Sequence, residues 1–165
     1  MAFKKAKKQN LFEETDKQLS GKFSQAGFGF SSGISVLFSP LEAAYLVKTG
    51  KSKFSGKTLE QFMASQEKTG KNFPFALAVY SLIYKKARQI RPFMKSAKYF
   101  RVYAPGIGRL EGKPSQFLCL APGEAPSLKA LEQEIKKAHL ARLELIIAYG
   151  TEKEPKFIKV SSFNF

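Results

Sequence analysis

The sequence predicts an α+β fold in two parts, and three observations carry that prediction. Hydrophobic residues fill 44% of the 165 positions, enough to bury a core at a length of about one or two small domains. Two stretches of the first half carry complete helix-start signals, and the second half alternates strand-forming runs with helical ones. Composition changes near Lys71: all five arginines, Arg88, Arg91, Arg101, Arg109 and Arg142, follow it, and Gly70-Lys71-Asn72 is a natural break before an apolar helix. The expected units are 1–71, a small N-terminal α/β module, and 72–165, a C-terminal domain in which a mixed sheet packs with two helices.

In chain order, the first ten residues read as a frayed terminus. Over 22–38, Phe23, Phe28, Phe30, Ile34, Val36 and Phe38 recur at mostly even spacing among glycines and serines, which predicts short strands and a hairpin. Ser39-Pro40-Leu41-Glu42 then supplies an N-cap, a proline at the first helical position and a capping-box glutamate, so a helix runs from 40 to 48 with Gly50 just beyond it. Thr58 and Gln61 repeat the capping logic for a second short helix reaching about 68. Phe75, Val79, Leu82 and Ile83 form the apolar face of a longer helix whose last turn holds Lys85, Lys86 and Arg88, complementing the dipole.

Strands are expected at 99–103, 117–121, 143–149 and 156–165. Between the second and third, Ser127 caps a helix over 128–140 with Leu128, Leu131, Ile135 and Ala138 on one face. On that helix Glu134-Ile135-Lys136 reads as a solvated face, and His139 complements the C-terminal dipole. Cys119 is expected to be a small core residue.

Charge narrows the function. Lys and Arg number 28 against 13 Asp and Glu, a net charge of +15, and self-repulsion of that size is relieved by a polyanionic partner, with nucleic acid the first choice. No carboxylate lies between Glu67 and Glu111, where ten cations fall. The candidate RNA contacts are Lys85, Lys86, Arg88, Arg91, Lys98, Arg101, Lys113, Lys136, Lys137 and Lys159. A single cysteine excludes an internal disulfide, and with a single histidine it leaves no conventional zinc site, so no metal or cofactor is expected. The lysines at 4, 5, 7 and 8 precede polar residues and the apolar run 75–84 is too short to span a bilayer, so the expectation is a cytoplasmic chain without a leader or membrane helix.

Several motifs also carry a resemblance. Leu41-Glu42-Ala43-Ala44-Tyr45-Leu46-Val47 is followed by Gly50-Lys51, then the helix through Tyr80, then Phe100-Arg101-Val102-Tyr103. Gln116-Phe117-Leu118, Ala138-His139 and Leu145-Ile146-Ile147-Ala148 come after in that order. Over 41–165 the chain resembles the archaeal tRNA-splicing endonuclease family. The resemblance implies a nuclease-like C-terminal domain and metal-independent cleavage of precursor tRNA, in which a ribose 2′-OH attacks the adjacent phosphate. That chemistry needs a base, an acid and a cation for the pentavalent charge, and the family uses a Tyr, a His and a Lys.

Carried over residue by residue, the tyrosine falls on Tyr103, the histidine on Pro114, and the lysine on Leu143 or Glu144. Proline donates no proton, and neither leucine nor glutamate stabilises a phosphorane. The resemblance therefore implies a structural subunit that pairs with a catalytic endonuclease subunit in a heterotetramer, Tyr103 being vestigial. It also places Lys136, Lys137 and Lys159 near positions where the family clamps a bulged base with arginines; lysine keeps the charge and loses the stacking plane. Glu152 and Glu154 are either an acidic loop for a neighbouring subunit or an ordinary charged turn. The terminal strand with Phe163 and Phe165 is an apolar edge suited to subunit pairing. Two alternatives stay open: a self-sufficient endoribonuclease using Tyr103 and Lys113, and a general RNA-binding module.

Overall fold

The computed structural model describes residues 2–6, 11–32, 35–68, 72–86, 89–93, 98–104 and 113–160. The fold class is α+β, and the chain divides into two compact units, Met1–Leu77 and Ala78–Phe165. Composition placed the division at 71/72; the compact units meet a few residues later, within a helix.

The first unit contains β1 (Phe3–Lys5), β2 (Phe12–Glu14), α1 (Lys17–Gln25), β3 (Phe30–Ser32), β4 (Ser35–Phe38), α2 (Pro40–Lys48), α3 (Leu59–Glu67) and the start of α4 (Phe73–Lys85). Its sheet has the order β1-β2-β4-β3 with every neighbour antiparallel, Phe12 facing Phe38 across β2 and β4. The strands are short, and phenylalanines hold them: Phe3, Phe12, Phe38, Phe54 and Phe62 are all buried and meet ring to ring.

Two expectations are corrected here. Residues 3–5 are a paired strand instead of a frayed end, because Phe3 is buried and its N–H donates to the Lys53 carbonyl at 2.7 Å. The segment read wholly as strands and hairpin begins with helix α1, whose N-cap Asp16 accepts from the Leu19 N–H at 3.0 Å. Phe23 belongs to that helix and Phe38 to β4; their rings meet at 6.1 Å, so even spacing in the chain reflects a shared aromatic core and not one continuous strand pattern. The two capping boxes form as expected, Ser39 with Glu42 and Thr58 with Gln61.

The second unit contains the rest of α4, then β5 (Ile90–Pro92), β6 (Tyr99–Val102), β7 (Gln116–Pro122), α5 (Leu128–Leu140), β8 (Glu144–Gly150) and β9 (Pro155–Val160). The sheet order is β5-β6-β7-β8-β9; only β7 and β8 run parallel, as a strand–helix–strand crossover through α5 requires. Phe117, Cys119, Leu145 and Ile147 point to the α5 side and pack with Ala138, Leu131 and Ile135. Ile90, Phe100, Val102, Leu118, Leu120 and Ala148 are buried on the opposite face.

Strand β5 is an addition to the expected set, and its Pro92 suits an edge strand that pairs on one side. Two helix faces need correction. In α4, Phe75, Val79 and Ile83 are buried as expected, but Leu82 is 37% exposed and Ala76, Leu77 and Tyr80 are buried with the other three. Leu128 is 80% exposed because it is the first residue of α5, ahead of the turns that lie on the sheet. No helix among the described residues is long and apolar enough to cross a membrane.

Candidate nucleic-acid interface

Strand register sets what meets at one end of the second sheet. Val102 faces Gln116, and Gln116 faces Glu144. Backbone bonds extend the alignment, Ser115 donating to the Val102 carbonyl at 3.0 Å and Glu144 to the Ser115 carbonyl at 3.3 Å. The segments carrying Tyr103, Pro114 and Leu143 therefore converge at the same end of three adjacent strands. Tyr103 is half-buried just past β6, its N–H on the Gln89 carbonyl at 2.9 Å. Pro114 is half-buried with exposed Lys113 beside it. Leu143 joins the α5-side core.

Glu144 is committed to its neighbours. One carboxylate oxygen accepts from Gln116 Nε2 at 3.0 Å and pairs with Lys159 Nζ at 3.0 Å. This end of the sheet thus offers a phenol, an imino acid, a leucine and a neutralised carboxylate. Among the described residues no hydrogen bond joins the Tyr103 hydroxyl to an imidazole or an ammonium, and no group of three His, Cys, Asp or Glu is placed to hold a metal ion. His139 is exposed in the last turn of α5.

The α5 side carries a second cluster, and it overturns one expectation. Glu134, read as solvated, is only 6% exposed. Its Oε1 accepts from Lys98 Nζ and from Lys137 Nζ, both at 3.1 Å, and from the Tyr99 hydroxyl at 3.2 Å. Lys137 also donates to the Tyr99 hydroxyl at 2.8 Å, and both ammoniums lie over the Tyr99 ring, at 5.3 and 5.1 Å from its centroid. Burial works against the Glu134 charge, but hydrogen bonds from Lys137 and Lys98 outweigh it and hold the carboxyl below its ordinary value. Burial is the largest influence on Lys98 and opposes its charge, but the hydrogen bond to Glu134 together with the Cys119, Glu134 and Tyr99 charges outweighs it; Lys137 is raised chiefly by its hydrogen bond to Tyr99. Cys119, in the core as expected, has its thiol pushed up to about 11, first by burial and then by the Glu134 charge.

The signs fix a pH window. A depressed carboxyl contributes stability above the ordinary value of 4.5 and loses it as pH falls through the lowered one. Raised ammoniums contribute below 10.5 and lose it as pH rises further. Glu134→Gln is expected to cost about 1–2 kcal/mol near neutrality, since both lysines are half-exposed and return to water. Melting curves between pH 3 and 7 check this: the acid-side fall in melting temperature of the parent chain should be shallower in the variant.

The remaining candidates separate by location. Arg91 and Arg101 face each other across β5 and β6, Arg101 exposed and Arg91 half-exposed. Lys98, Lys113, Lys136 and Lys137 are exposed, as are Lys85 and Lys86 at the end of α4. Lys159 lies on the other face of the sheet, in register with Ile146 and Leu118, away from Lys136 and Lys137. Glu152 and Glu154 are exposed in the turn between β8 and β9, where Glu154 lies 3.7 Å from Lys156. Arg88, Phe163 and Phe165 fall outside the described residues. Sequence reasoning passed over Tyr99 and Phe93; the alternation Tyr99/Arg101 was the one available signal that a ring and a cation share a face. No family model matches the chain, and no curated protein matches it.

Proposed function

We propose that this chain is a structural, non-catalytic subunit of a tRNA-splicing endonuclease, pairing with a catalytic subunit and helping to hold precursor tRNA. The observation that supports the reading is the sheet end where Val102, Gln116 and Glu144 are in register. The three positions at which the resemblance calls for base, acid and cation lie together there, yet only the base position holds a suitable group. Loss of a general acid typically costs about 10²–10⁴-fold in rate, and loss of one electrostatic stabiliser costs about 10²–10³-fold. A fold that keeps the arrangement and drops the chemistry suits a subunit whose work is positioning. The basic surface on α5, β5 and β6 supplies the sequence-independent part of RNA affinity.

The test is reconstitution. Mixed with a catalytic endonuclease subunit, the chain should form a stable complex that cleaves precursor tRNA, while the chain alone leaves the substrate intact. Tyr103→Phe in this chain should change the rate of the complex by less than about twofold, whereas a working general base would lose about 10²–10⁴-fold. A partner equally active without this chain rejects the proposal, and so does cleavage by the chain alone that Tyr103→Phe abolishes.

A further inference from the structure

Among the described residues, one helix, α5, packs on the Phe117 side of the second sheet. The helix packs against β7 and β8 through Leu131, Ile135 and Ala138, and the ribbon of β5 and β6 extends past it. On that ribbon Arg101 is exposed, with its guanidinium carbon 4.4 Å from the centre of the Phe93 ring. Phe93 meets Phe117 edge-on at 5.5 Å, and Tyr99 stacks on the same Phe117 at 5.2 Å, so both rings are fixed from beneath by the core. Arg91 stands opposite Arg101, and the Lys98/Lys137 pair flanks Tyr99. Among the described residues, Arg91, Arg101, Lys98 and Lys137 surround this aromatic strip, and the two lysines share the Glu134 carboxylate.

We infer that this ribbon is a stacking platform for an unpaired RNA nucleotide, its base lying on the Arg101–Phe93 pair and its phosphates held by Arg91, Lys98 and Lys137. Charge complementarity demands a polyanion, and the aromatic strip selects among polyanions. A guanidinium pinned over a phenyl ring presents a planar cation on which any base stacks, while duplex RNA keeps its base faces stacked internally and offers phosphates and 2′-hydroxyls but no free ring face. An acidic protein segment would use the charges and leave the rings idle. The inference deepens the proposed function by naming the RNA element this subunit would hold, and it rests on that reading only for the source of the RNA. It takes in Lys137, one of the three lysines that the resemblance places near the family's clamp, and neither Lys136 nor Lys159.

The experiment needs the full chain alone and no catalytic partner, so its outcome is separate from that of the reconstitution. A fluorescein-labelled single-stranded oligouridylate is titrated at several salt concentrations, beside a duplex RNA of equal length. The single strand should bind about tenfold more tightly than the duplex. Arg101→Ala should weaken single-strand binding about tenfold and lower the salt slope by about one phosphate. Arg101→Lys should restore the slope and leave most of the affinity loss, because lysine keeps the charge and lacks the plane. Lys51→Ala, an equal charge change at an exposed position of the first unit, should leave binding unchanged. A 4-thiouridine strand should cross-link to peptides containing Phe93 or Tyr99. Equal affinity for duplex and single strand, full rescue by Arg101→Lys, or competition by polyglutamate as effective as by RNA each overturns the inference.

Discussion

Phe62→Ala is expected to destabilise the first unit by about 3–5 kcal/mol, the range for removing a fully buried phenylalanine. Phe62 is 0% exposed at the centre of the aromatic core. It stacks on Phe54 at 4.1 Å and meets Phe12 and Phe73 edge-on at 5.2 and 5.9 Å. Lys57 Nζ lies 5.0 Å from its centroid and within about 6 Å of the Phe12 and Phe54 rings as well. An alanine there leaves a void bounded by three rigid rings that cannot close over it, and the ammonium loses its nearest ring. A domain of this size rarely holds more than about 5–15 kcal/mol in total, so the variant should populate an unfolded first unit near its former working range. Denaturant unfolding of the full chain checks the point: the midpoint should fall with an unchanged slope, and Phe62→Leu should recover more than half of the loss. A midpoint within about 0.5 kcal/mol of the parent would mean that the ring cluster is not the core of this unit.

Where the sequence could be read, the signals were local. Helix α2 is specified by three residues within four positions, a Ser39 cap, Pro40 at the first position and Glu42 closing the box, and all three act as expected. Helix α5 is similarly announced by Ser127 and the periodicity that follows. What could not be read depends on distant residues. Helix α1 has one good cap, Asp16, and carries Gly21 in its middle, which costs about 1 kcal/mol against alanine; burial of Phe23 against Phe28 and Phe38 supplies what propensity does not. Glu134 was read with Lys136 as a solvated helix face, but its burial comes with Lys98 and Tyr99, which reach it from the start of β6. Likewise Phe93 follows a three-residue edge strand ending in proline, a segment with no periodicity to detect, and only pairing with β6 brings it to Arg101. The site positions carried by the resemblance converge because Gln116 is paired on both sides, a property of the sheet and of no single motif.

Glu42→Ala should be the next most damaging change, at about 2–4 kcal/mol, and for a reason opposite in kind to that of Phe62. Glu42 is buried, and each of its oxygens has one donor: Oε1 accepts from the Gly29 N–H and Oε2 from the Ser39 N–H, both at 2.8 Å. Ser39 Oγ accepts in return from the Glu42 N–H at 3.3 Å. The side chain therefore caps its own helix and fastens the turn before β3 to it. Gly29 is the fixed half of that contact. Its φ is +65°, and a Cβ there would stand 2.7 Å from Val36 Cγ1 and 2.8 Å from the Leu37 carbonyl oxygen, so the turn has no room to shift toward another acceptor. Alanine at position 42 leaves two N–H groups without their acceptor, at about 1–3 kcal/mol for each that stays buried, and removes half of the capping box. Glutamine keeps one acceptor and turns an NH₂ group toward a second N–H donor, so it should lose about half as much as alanine. Hydrogen exchange separates this from a general loosening: the Gly29 amide should lose protection in both variants by more than amides of β1 and β2 do. Uniform loss across the unit would show that Glu42 acts only through overall stability and does not fasten the turn.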